Sequence, residues 1–376
     1  MKPPMETRPI RVLLLCDRLD IAGGVERFVC GLANHLAGDE GMDVAIGSVD
    51  TPASEVRYPV RQGVRVLAGF DTRSAEPADT GLRRPLGMLK AQWRTGRALT
   101  RLTHDEQPDV VVLNGLTTAC SALLMSRRFA SRTIVCDHNH FTARSALWQG
   151  LRRRLYPPVA AVVSLTAADE PKFKAINPRT VVIHNASGLG SDEPALPSRQ
   201  LVLAVGRHVA QKGFDLLLQA WAAVSKTLPD AMLRVIGDGP LLDEHAALAA
   251  RLGIERQVEW IAPTQYIVEH YHEAAVFVLP SRYEGMPLAL LEAQALGVPA
   301  VAFDCPTGPA EILTPETGRL VPAGDVDGLA AAMVELLRAP ELRQHMAIAA
   351  IARSHAVFSP MEHLQRWTAL VREVAA

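Results

Sequence analysis

Cysteine is scarce in this sequence, and its spacing excludes two kinds of site. The five cysteines are an odd number, lie far apart and include no C-x-x-C pair. A disulfide framework needs paired cysteines and a zinc site needs clustered ligands, so we expect neither. The residues concerned are Cys16, Cys30, Cys120, Cys136 and Cys305.

Long apolar runs are missing as well. No segment approaches the roughly 18 consecutive apolar residues that a membrane-spanning helix requires. Residues 1–10 are polar and rich in proline, and they lack the apolar core of a signal peptide. We therefore expect a cytoplasmic protein.

Neither sign of charge dominates the chain, yet its halves differ. With 376 residues, 48% hydrophobic and 21% charged, and a net charge of −1, the sequence is typical of a globular protein of two domains. Residues 1–200 contain 26 Lys and Arg against 20 Asp and Glu, and the remainder contains 13 against 20. The halves carry +6 and −7, which predicts an anionic partner for the first. Nucleic acid is not expected, because no nucleic-acid-binding module accompanies the charge.

Short apolar runs rich in β-branched residues recur between helical patterns. Such runs are typical of buried parallel strands, so the sequence predicts an α/β fold. The first set lies at residues 11–17, 43–48, 64–69, 109–115, 133–137, 160–166 and 180–185. The second set lies at residues 200–205, 232–236, 258–261, 276–280, 299–303 and 319–321.

A Gly- and Pro-rich stretch without periodicity, residues 188–198, separates the two sets and is the predicted linker. The sequence therefore predicts one α/β domain at 1–190 and another at 198–358. In open α/β sheets ligands bind beyond the carboxyl ends of the strands, so functional residues are sought there.

Two glycines follow the first predicted strand. Gly23 and Gly24 open a segment with helical apolar spacing. Glycines at a helix N-terminus let backbone N–H groups approach a phosphate. The alternative is ordinary turn chemistry, because the full G-x-G-x-x-G motif is absent.

Two cations occupy the loop after the first strand of the second domain. Arg207 and Lys212 precede a helical pattern. Together they suit a diphosphate leaving group, since Arg can make a bidentate contact and Lys a point-charge contact. The alternative is a solvated surface pair.

The segment 281–293 is the most informative part of the chain. Glu292 lies in a predicted helix that is apolar nearly all round, so its carboxylate would be buried and would need a partner. A helical rise from Glu284 to Glu292 gives on the order of 12 Å, about the span from sugar to ribose in a nucleoside diphosphate sugar. The alternative is a capping role for Glu284 and an arginine partner for Glu292.

The residues between the two carboxylates complete this candidate site. Pro287 suits the first position of a helix, and it is flanked by Gly285, Met286 and Leu288. The backbone N–H groups at the start of this helix would lie beside a diphosphate.

These residues resemble the Glu-x7-Glu signature of retaining glycosyltransferases of family four, whose GT-B fold has two facing Rossmann-like domains with parallel sheets and a cleft between them. The resemblance covers nearly the whole chain. It includes residues 23–24, 206–207, 212–213, 237–240 and 284–292.

The resemblance implies a role for each site residue. Arg207 and Lys212 would hold the donor diphosphate. Glu292 would bind the ribose hydroxyls, and Glu284 the transferred sugar near the reacting centre. His138 would reach toward the donor sugar. Because His140 lies only two residues further on, the resemblance leaves open which of the two histidines faces that sugar.

The resemblance also has implications for the whole protein. A C-terminal helix, residues 359–376, would cross back onto the first domain, which would bind the acceptor. Residues 304–313 are similar to a segment of bacterial enzymes that build lipid-linked or capsular oligosaccharides, often from N-acetylhexosamine donors.

Asp325 and Asp327 form a D-x-D sequence, the metal-binding signature of the other large glycosyltransferase fold. They directly precede an apolar helical pattern, so we interpret Asp325 as a helix N-cap. No metal is expected there.

Residues 82–102 contain six cations and no acidic residue. An amphipathic helix of this composition, with Trp93 beside the cations, suits an anionic membrane surface. The alternative is a solvated helix face. Residues 152–154 form a second basic cluster. The six cations are Arg83, Arg84, Lys90, Arg94, Arg97 and Arg101.

The sequence thus predicts a metal-independent, retaining glycosyltransferase that needs no cofactor and works at the inner face of the cell membrane. It would move a sugar, such as an N-acetylhexosamine, from a nucleoside diphosphate donor, with UDP favoured. The acceptor would be polyprenyl-linked or a polysaccharide, and the bond an α-glycosidic one. The alternatives are a GT-B nucleotide-sugar epimerase, a soluble-acceptor glycosyl synthase and a non-catalytic partner subunit.

Overall fold

The computed structural model describes residues 8–70, 84–194, 197 and 199–376. Within them the chain forms two compact units. The first contains the described residues up to Ile183 together with Leu364–Ala376, and the second is His184–His363.

Every apolar run of the sequence forms a strand, because such runs can bury both faces only within a covered parallel sheet. The strands are β1 (Ile10–Leu15), β2 (Met42–Ser48), β3 (Arg65–Ala68), β4 (Val110–Asn114), β5 (Thr133–Cys136), β6 (Ala161–Ser164), β7 (Thr180–Val182), β8 (Leu201–Val205), β9 (Met232–Ile236), β10 (Val258–Ile261), β11 (Val276–Leu279), β12 (Ala300–Asp304) and β13 (Gly318–Pro322).

Helices follow most of these strands and cover the sheets. They are α1 (Gly24–Leu36), α2 (Arg84–Glu106), α3 (Leu116–Met125), α4 (Ala146–Leu155), α5 (Glu170–Lys174), α6 (Phe214–Thr227), α7 (Leu242–Arg251), α8 (Ile267–Glu273), α9 (Leu288–Ala295), α10 (Pro309–Ile312), α11 (Val326–Arg338), α12 (Pro340–Val357) and α13 (Pro360–Ala375).

Both sheets are parallel and share one topology. The first unit has the order β3-β2-β1-β4-β5-β6-β7, and the second has β10-β9-β8-β11-β12-β13. The strand order therefore reverses between β1 and β4 in the first sheet and between β8 and β11 in the second. Ligands of such sheets bind at this reversal, outside the carboxyl ends of the strands. The predicted fold of two Rossmann-like domains is confirmed.

The last helix packs into the first unit. Trp367 of α13 is fully buried, and its ring centroid lies 5.5 Å from that of Phe28 on α1. The Thr368 hydroxyl is 3.2 Å from Nε2 of His35. From Leu364 onward, α13 is therefore part of the first unit.

The division between the units falls earlier than the predicted boundary at residue 190. Residues 184–190 belong to the second unit, because a side chain within them and the backbone just after them form hydrogen bonds to other residues of that unit. The Asn185 amide donates to the Met286 carbonyl at 3.2 Å, and the backbone N–H of Ser191 donates to Ala295 at 3.0 Å. Residues 359–363 also belong to the second unit.

No helix in the described ranges is long and apolar enough to cross a bilayer. The longest basic helix, α2, begins at Arg84. Arg83 lies outside the described residues, and so does the side chain of Arg84.

Candidate functional site

In the second unit, the loop after β8 closely approaches the end of β11. Gly213 ends the short 3-10 turn Ala210–Lys212 with φ of +66°. A Cβ atom on Gly213 would lie 2.0 Å from the Pro280 carbonyl oxygen. Glycine is therefore required there for two reasons, the left-handed backbone and the lack of space.

This approach brings together two residues that the sequence predicted for separate roles. Nζ of Lys212 lies 2.8 Å from Oε1 of Glu284, and the Ser281 hydroxyl donates to the same oxygen at 2.6 Å. The Glu284 side chain is 7% exposed and that of Lys212 is 21% exposed. A buried carboxylate requires such partners, so Lys212 balances its charge.

Arg207 differs from Lys212 in its surroundings. It follows Gly206 at the end of β8, is exposed, and makes no side-chain hydrogen bond or ion pair to the described residues. No described residue therefore accepts a hydrogen bond from the Arg207 guanidinium, whereas the Lys212 ammonium is paired with Glu284.

A bidentate ion pair fixes the loop from the other side. Arg282 donates to both carboxylate oxygens of Asp215 at 2.7 Å, and its backbone N–H donates to the Gln211 carbonyl at 2.8 Å. The hydrogen bond from Arg282 lowers the pKa of Asp215. The Gln211 amide donates to the Tyr283 carbonyl at 3.0 Å, so two further contacts join the loops.

The helix after Glu284 begins later than predicted. Pro287 has φ of −71° and ψ of 111° and is the N-cap, so α9 starts at Leu288. The segment from Glu284 to Pro287 is not helical, and the distance estimate from helical rise does not apply to it. Gly285, Met286 and Pro287 are all buried at the helix entrance.

A second loop packs against this entrance. Gly308 has φ of +94°, and a Cβ there would lie 2.6 Å from both the Gly285 carbonyl oxygen and Cδ of Pro287. The Thr307 hydroxyl donates to the Glu284 carbonyl at 2.7 Å. The loop after β12 therefore holds the backbone around Glu284.

Glu292 is buried within α9, as the apolar pattern predicted. It is 3% exposed, and its Oε2 accepts a hydrogen bond from the Tyr271 hydroxyl at 3.0 Å. A tyrosine of α8 is therefore a hydrogen-bond partner of this carboxylate.

In the first unit a cavity of about 180 Å³ opens at the strand-order reversal. It is lined by residues at or just after the ends of β1, β4 and β5, among them Asp17, Asn114 and His138. Another cavity, of about 570 Å³, lies in the second unit beside Gln200 and Pro299, at the amino ends of the strands. Because ligands of parallel sheets bind at the carboxyl ends of the strands, the cavity of the first unit has the position expected for a ligand and the one beside Gln200 does not.

His138 is held in one tautomer. The Asn114 amide nitrogen donates to the Leu15 carbonyl at 3.1 Å, so Oδ1 of Asn114 accepts, and it lies 3.0 Å from Nε2 of His138. The hydrogen is therefore on Nε2, and Nδ1 is the acceptor of the ring. Burial lowers the pKa of His138 to about 4, which keeps it neutral near pH 7. His140 also lines the cavity.

The glycine pair begins α1, as predicted, but an acidic side chain occupies the space beside it. Gly23 is the N-cap and Gly24 the first residue of the helix. A Cβ on Gly23 would lie 2.3 Å from Oε2 of Glu26. The carboxylate thus takes the position near the helix N-terminus where an anion is favoured.

One member of the predicted 152–154 cluster is not a surface cation. Arg152 is 1% exposed and pairs with Asp137 at 2.9 Å, and the Tyr156 hydroxyl donates to Asp137 at 2.8 Å. Burial raises the pKa of Asp137, and Arg152 opposes that shift. Only Arg153 and Arg154 are exposed.

The D-x-D sequence serves as a helix cap. The Asp325 side chain accepts a hydrogen bond from the Gly328 N–H at 2.9 Å, and Asp327 lies in the first turn of α11. This interpretation is confirmed. Across the described ranges, no group of three or more His, Cys, Asp or Glu is placed to hold a metal ion.

Sequence reasoning missed several residues that shape the site. Ser281 and Gln211 contact the Glu284 segment, Thr307 holds its backbone, and Tyr271 and Asn114 orient Glu292 and His138. For Ser281 and Asn114 a signal existed, because both stand at or directly after the carboxyl end of a strand. Tyr271 had none, since it is one aromatic residue within a short helix.

Two family models match the chain in tandem. Residues 23–186 match the model described as a glycosyl transferase 4-like domain, and residues 192–353 match that of glycosyl transferases group 1. The amylovoran biosynthesis glycosyltransferase AmsD of Erwinia amylovora is 30% identical over 95% of this chain and 98% of its own. A GDP-mannose-dependent phosphatidylinositol monomannoside mannosyltransferase of Mycolicibacterium smegmatis is 26% identical over 74% of this chain and 80% of its own.

Solved structures share the fold at low identity. Sucrose-phosphate synthase of Thermosynechococcus elongatus superposes with a TM-score of 0.80 at 19% identity, over 97% of this chain and 99% of its own. A TarM variant of S. aureus, solved with UDP, gives a TM-score of 0.78 at 13% identity, over 96% and 99% of the two chains.

Proposed function

The chain belongs to the group 1 glycosyltransferases, which have the GT-B fold and use nucleotide sugars, and from that premise we propose a specific reaction. The protein transfers a sugar from a nucleoside diphosphate donor, with retention of configuration and without a metal ion, to a lipid-linked or polysaccharide acceptor. The second unit binds the donor and the first binds the acceptor.

One observation carries the donor assignment. Lys212 and Glu284 lie together at the strand-order reversal, and Glu292 is buried in the helix that begins just beyond them. A cation for the diphosphate, a carboxylate for sugar hydroxyls and a second carboxylate for ribose are then arranged along one edge of the sheet. A glycosidase would need two carboxyl groups flanking a single bond instead.

The charges suit the departure of a diphosphate. Negative charge grows on the leaving group, and Arg207 and Lys212 stabilise it together with the N–H groups at the start of α9. Because Lys212 also neutralises Glu284, it ties the phosphate-binding loop to the residue that orients the sugar. Protein cations thus take the place of a metal ion.

We assign to His138, in the cavity of the first unit, a contact with a sugar hydroxyl. Its neutral ring offers Nδ1 as an acceptor, so a sugar hydroxyl can donate to it. We prefer His138 over His140 because Asn114, at the end of β4, fixes its ring, whereas Nδ1 of His140 lies 3.1 Å from the hydroxyl of Thr142, two residues further along the same loop.

UDP is the favoured nucleotide, and GDP is the alternative. Three of the structurally similar proteins were solved with UDP, whereas the mycobacterial relative is named for GDP-mannose. One relative is named for amylovoran biosynthesis and another, of Salmonella typhimurium, is named a lipopolysaccharide 1,6-galactosyltransferase, which supports an acceptor that is an oligosaccharide in the course of assembly.

The test is transfer by purified protein from a panel of UDP and GDP sugars, with products identified by mass spectrometry. Glu292→Gln is expected to weaken nucleotide binding, since the ribose contact is lost. Glu284→Gln is expected mainly to lower turnover, because that contact is made near the reacting sugar. Equal UDP or GDP binding by wild type and Glu292→Gln would contradict the ribose assignment.

We further propose that the first unit contacts an anionic membrane through α2. Leu89 and Trp93 are 69% and 50% exposed, and Lys90, Arg97 and Arg101 are exposed beside them. Arg94 is not part of this surface, because its guanidinium lies 4.2 Å from the Phe70 ring centroid. Apolar side chains rimmed by cations suit the interface of an anionic bilayer.

The neighbouring helices extend this surface. Leu124 and Met125 at the end of α3 and Leu147 on α4 are exposed, and α3 contacts both α2 and α4. Between Asp109 and Asp169 the chain has a single acidic residue, and it is the buried partner of Arg152. The outer surface of α3 is therefore apolar and uncharged, and that of α4 carries the exposed cations Arg153 and Arg154 beside Leu147.

Liposome co-sedimentation tests the contact. Lys90→Glu/Arg97→Glu/Arg101→Glu is compared with Lys226→Glu/Arg251→Glu/Arg256→Glu, which makes the same charge change on exposed residues of the second unit. Each surface cation contributes about 1 kcal/mol of attraction to anionic lipid. Only the first variant should lose binding to anionic vesicles at low salt. Equal binding by both variants, or none by wild type, would favour a soluble acceptor.

A further inference from the structure

Tyr271 lies against the carboxylate that we assign to the donor ribose. Its hydroxyl is 3.0 Å from Oε2 of Glu292 and 3.0 Å from the Ala289 carbonyl oxygen. Tyr271 is on α8 and fully buried, and Glu292 is on α9 and 3% exposed. The pair is therefore shielded from solvent in the second unit.

We propose that Tyr271 is a positioning residue for nucleotide recognition, and that its hydroxyl fixes the Glu292 carboxylate for the ribose hydroxyls. The inference rests on the proposed function, because it takes Glu292 as the ribose ligand. It adds a residue of α8 that contributes to selectivity for ribonucleotides without touching the nucleotide.

The hydrogen bond has a clear direction. A tyrosine hydroxyl has one hydrogen, and both neighbouring oxygens, on Glu292 and Ala289, are acceptors. A charged carboxylate is the stronger acceptor of the two. The hydroxyl therefore donates to Oε2 of Glu292 and restrains the rotation of its carboxylate.

The tyrosine is itself rigid. Its ring centroid lies 5.8 Å from that of Phe277 on β11, so the ring is packed between two helices and a central strand. A side chain with two torsions, held on this framework, can fix its neighbour at little entropic cost. Phenylalanine fits the same space and removes only the hydroxyl.

The position of the carboxylate matters because its ligand offers two hydroxyl groups at fixed spacing. A carboxylate that rotates freely must be ordered on binding, and that ordering lowers affinity. Removal of the tyrosine hydroxyl also leaves a buried oxygen with one partner fewer. The ordering cost lowers the affinity only for nucleotides that carry ribose hydroxyls, whereas the lost partner of the buried oxygen acts on the stability of the protein, which thermal unfolding measures.

The experiment compares a ribonucleotide with its matched analogue. Calorimetry measures the binding of UDP and GDP to wild-type protein, and the tighter of the two is then paired with its 2′,3′-dideoxy form. Tyr271→Phe should weaken ribonucleotide binding about tenfold, the usual effect of one hydrogen bond to a charged group. Binding of the dideoxy nucleotide should change less than twofold.

Two further variants make the result decisive. Glu292→Gln should show the same selective loss of ribonucleotide affinity. The double variant Tyr271→Phe/Glu292→Gln should bind the ribonucleotide within twofold of Glu292→Gln alone, because both substitutions act through one carboxylate. Tyr266→Phe removes an exposed hydroxyl on the adjoining loop and should leave both affinities unchanged. Thermal unfolding of each variant checks that the fold is retained.

Several outcomes would overturn the proposal. Equal loss for the ribonucleotide and the dideoxy analogue would show a structural role only, and no loss for either would show no role. An additive loss in the double variant would separate Tyr271 from Glu292. If wild type bound neither UDP nor GDP, the proposed function itself would fail, and that result differs from all the others.

Discussion

Removal of the Lys212 charge should destabilise the second unit as well as stop transfer. As a loop cation, Lys212 would be expected to contribute little to stability. The structure instead places its Nζ 2.8 Å from Oε1 of Glu284, whose side chain is 7% exposed. Lys212→Met keeps the aliphatic stem that lies beside Gly206 and leaves the carboxylate without its cation.

The magnitude follows from the burial of the two partners. Removal of one partner of a fully buried ion pair costs about 3 to 5 kcal/mol. Lys212 retains 21% exposure, and Ser281 still donates to the carboxylate. We therefore expect the free energy of unfolding to fall by about 2 kcal/mol. Arg207→Ala should change it by less than about 0.5 kcal/mol, as for most surface substitutions.

A double-mutant cycle isolates the ion pair. Urea unfolding is measured for wild type, Lys212→Met, Glu284→Gln and the double variant, and transfer is measured in parallel. With Glu284 neutral, Lys212→Met should cost at least about 1 kcal/mol less than in the wild-type background. Equal costs in both backgrounds, or a cost no larger than that of Arg207→Ala, would refute the reasoning.

Three further predictions concern other parts of the molecule. Arg152→Leu should lower the free energy of unfolding by about 3 to 5 kcal/mol in urea titrations, because it leaves a buried carboxylate unpaired, whereas Arg153→Ala should have little effect. Since burial lowers the pKa of His138 to about 4, the unfolded chain binds a proton at this residue that the folded chain does not. Stability should therefore fall as the pH drops from about 6.5 toward 4, and His138→Gln should flatten this part of a melting-temperature profile. Transfer should persist in EDTA; loss on chelation with rescue by magnesium or manganese would reopen a metal role for Asp325 and Asp327.

The sequence predicted the sheets well because strand burial is a local property. A run such as residues 110–114, with valine and leucine on both faces, is stable only when covered on both sides, and it forms β4 in a fully buried position. Capping is equally local, so Asp325 could be interpreted from the three residues that follow it. These signals lie within a few residues of each other, and they need no knowledge of the tertiary fold.

The site was only partly predictable. Arg207, Lys212, Glu284 and Glu292 could be found because they follow strands or lie in an apolar helix, and the structure places them there. The start of α9 was misjudged at Pro287, since proline is tolerated both at the N-cap and in the first turn. The packing of Arg94 against Phe70 depends on a residue outside α2, which helical spacing does not describe.

The sequence by itself determined which segments are strands, which helices are amphipathic and which loops follow strand ends, because periodicity and chain order contain that information. The tertiary structure alone decided which loops meet. Lys212 and Glu284 are separated by 72 positions and become neighbours because β8 pairs with β11. Arg152 can be buried because the Asp137 carboxylate balances its charge, and Tyr271 reaches Glu292 because its ring packs against Phe277 of β11, the strand that α9 contacts. Such partners depend on the order of strands in the sheet, which no local pattern specifies.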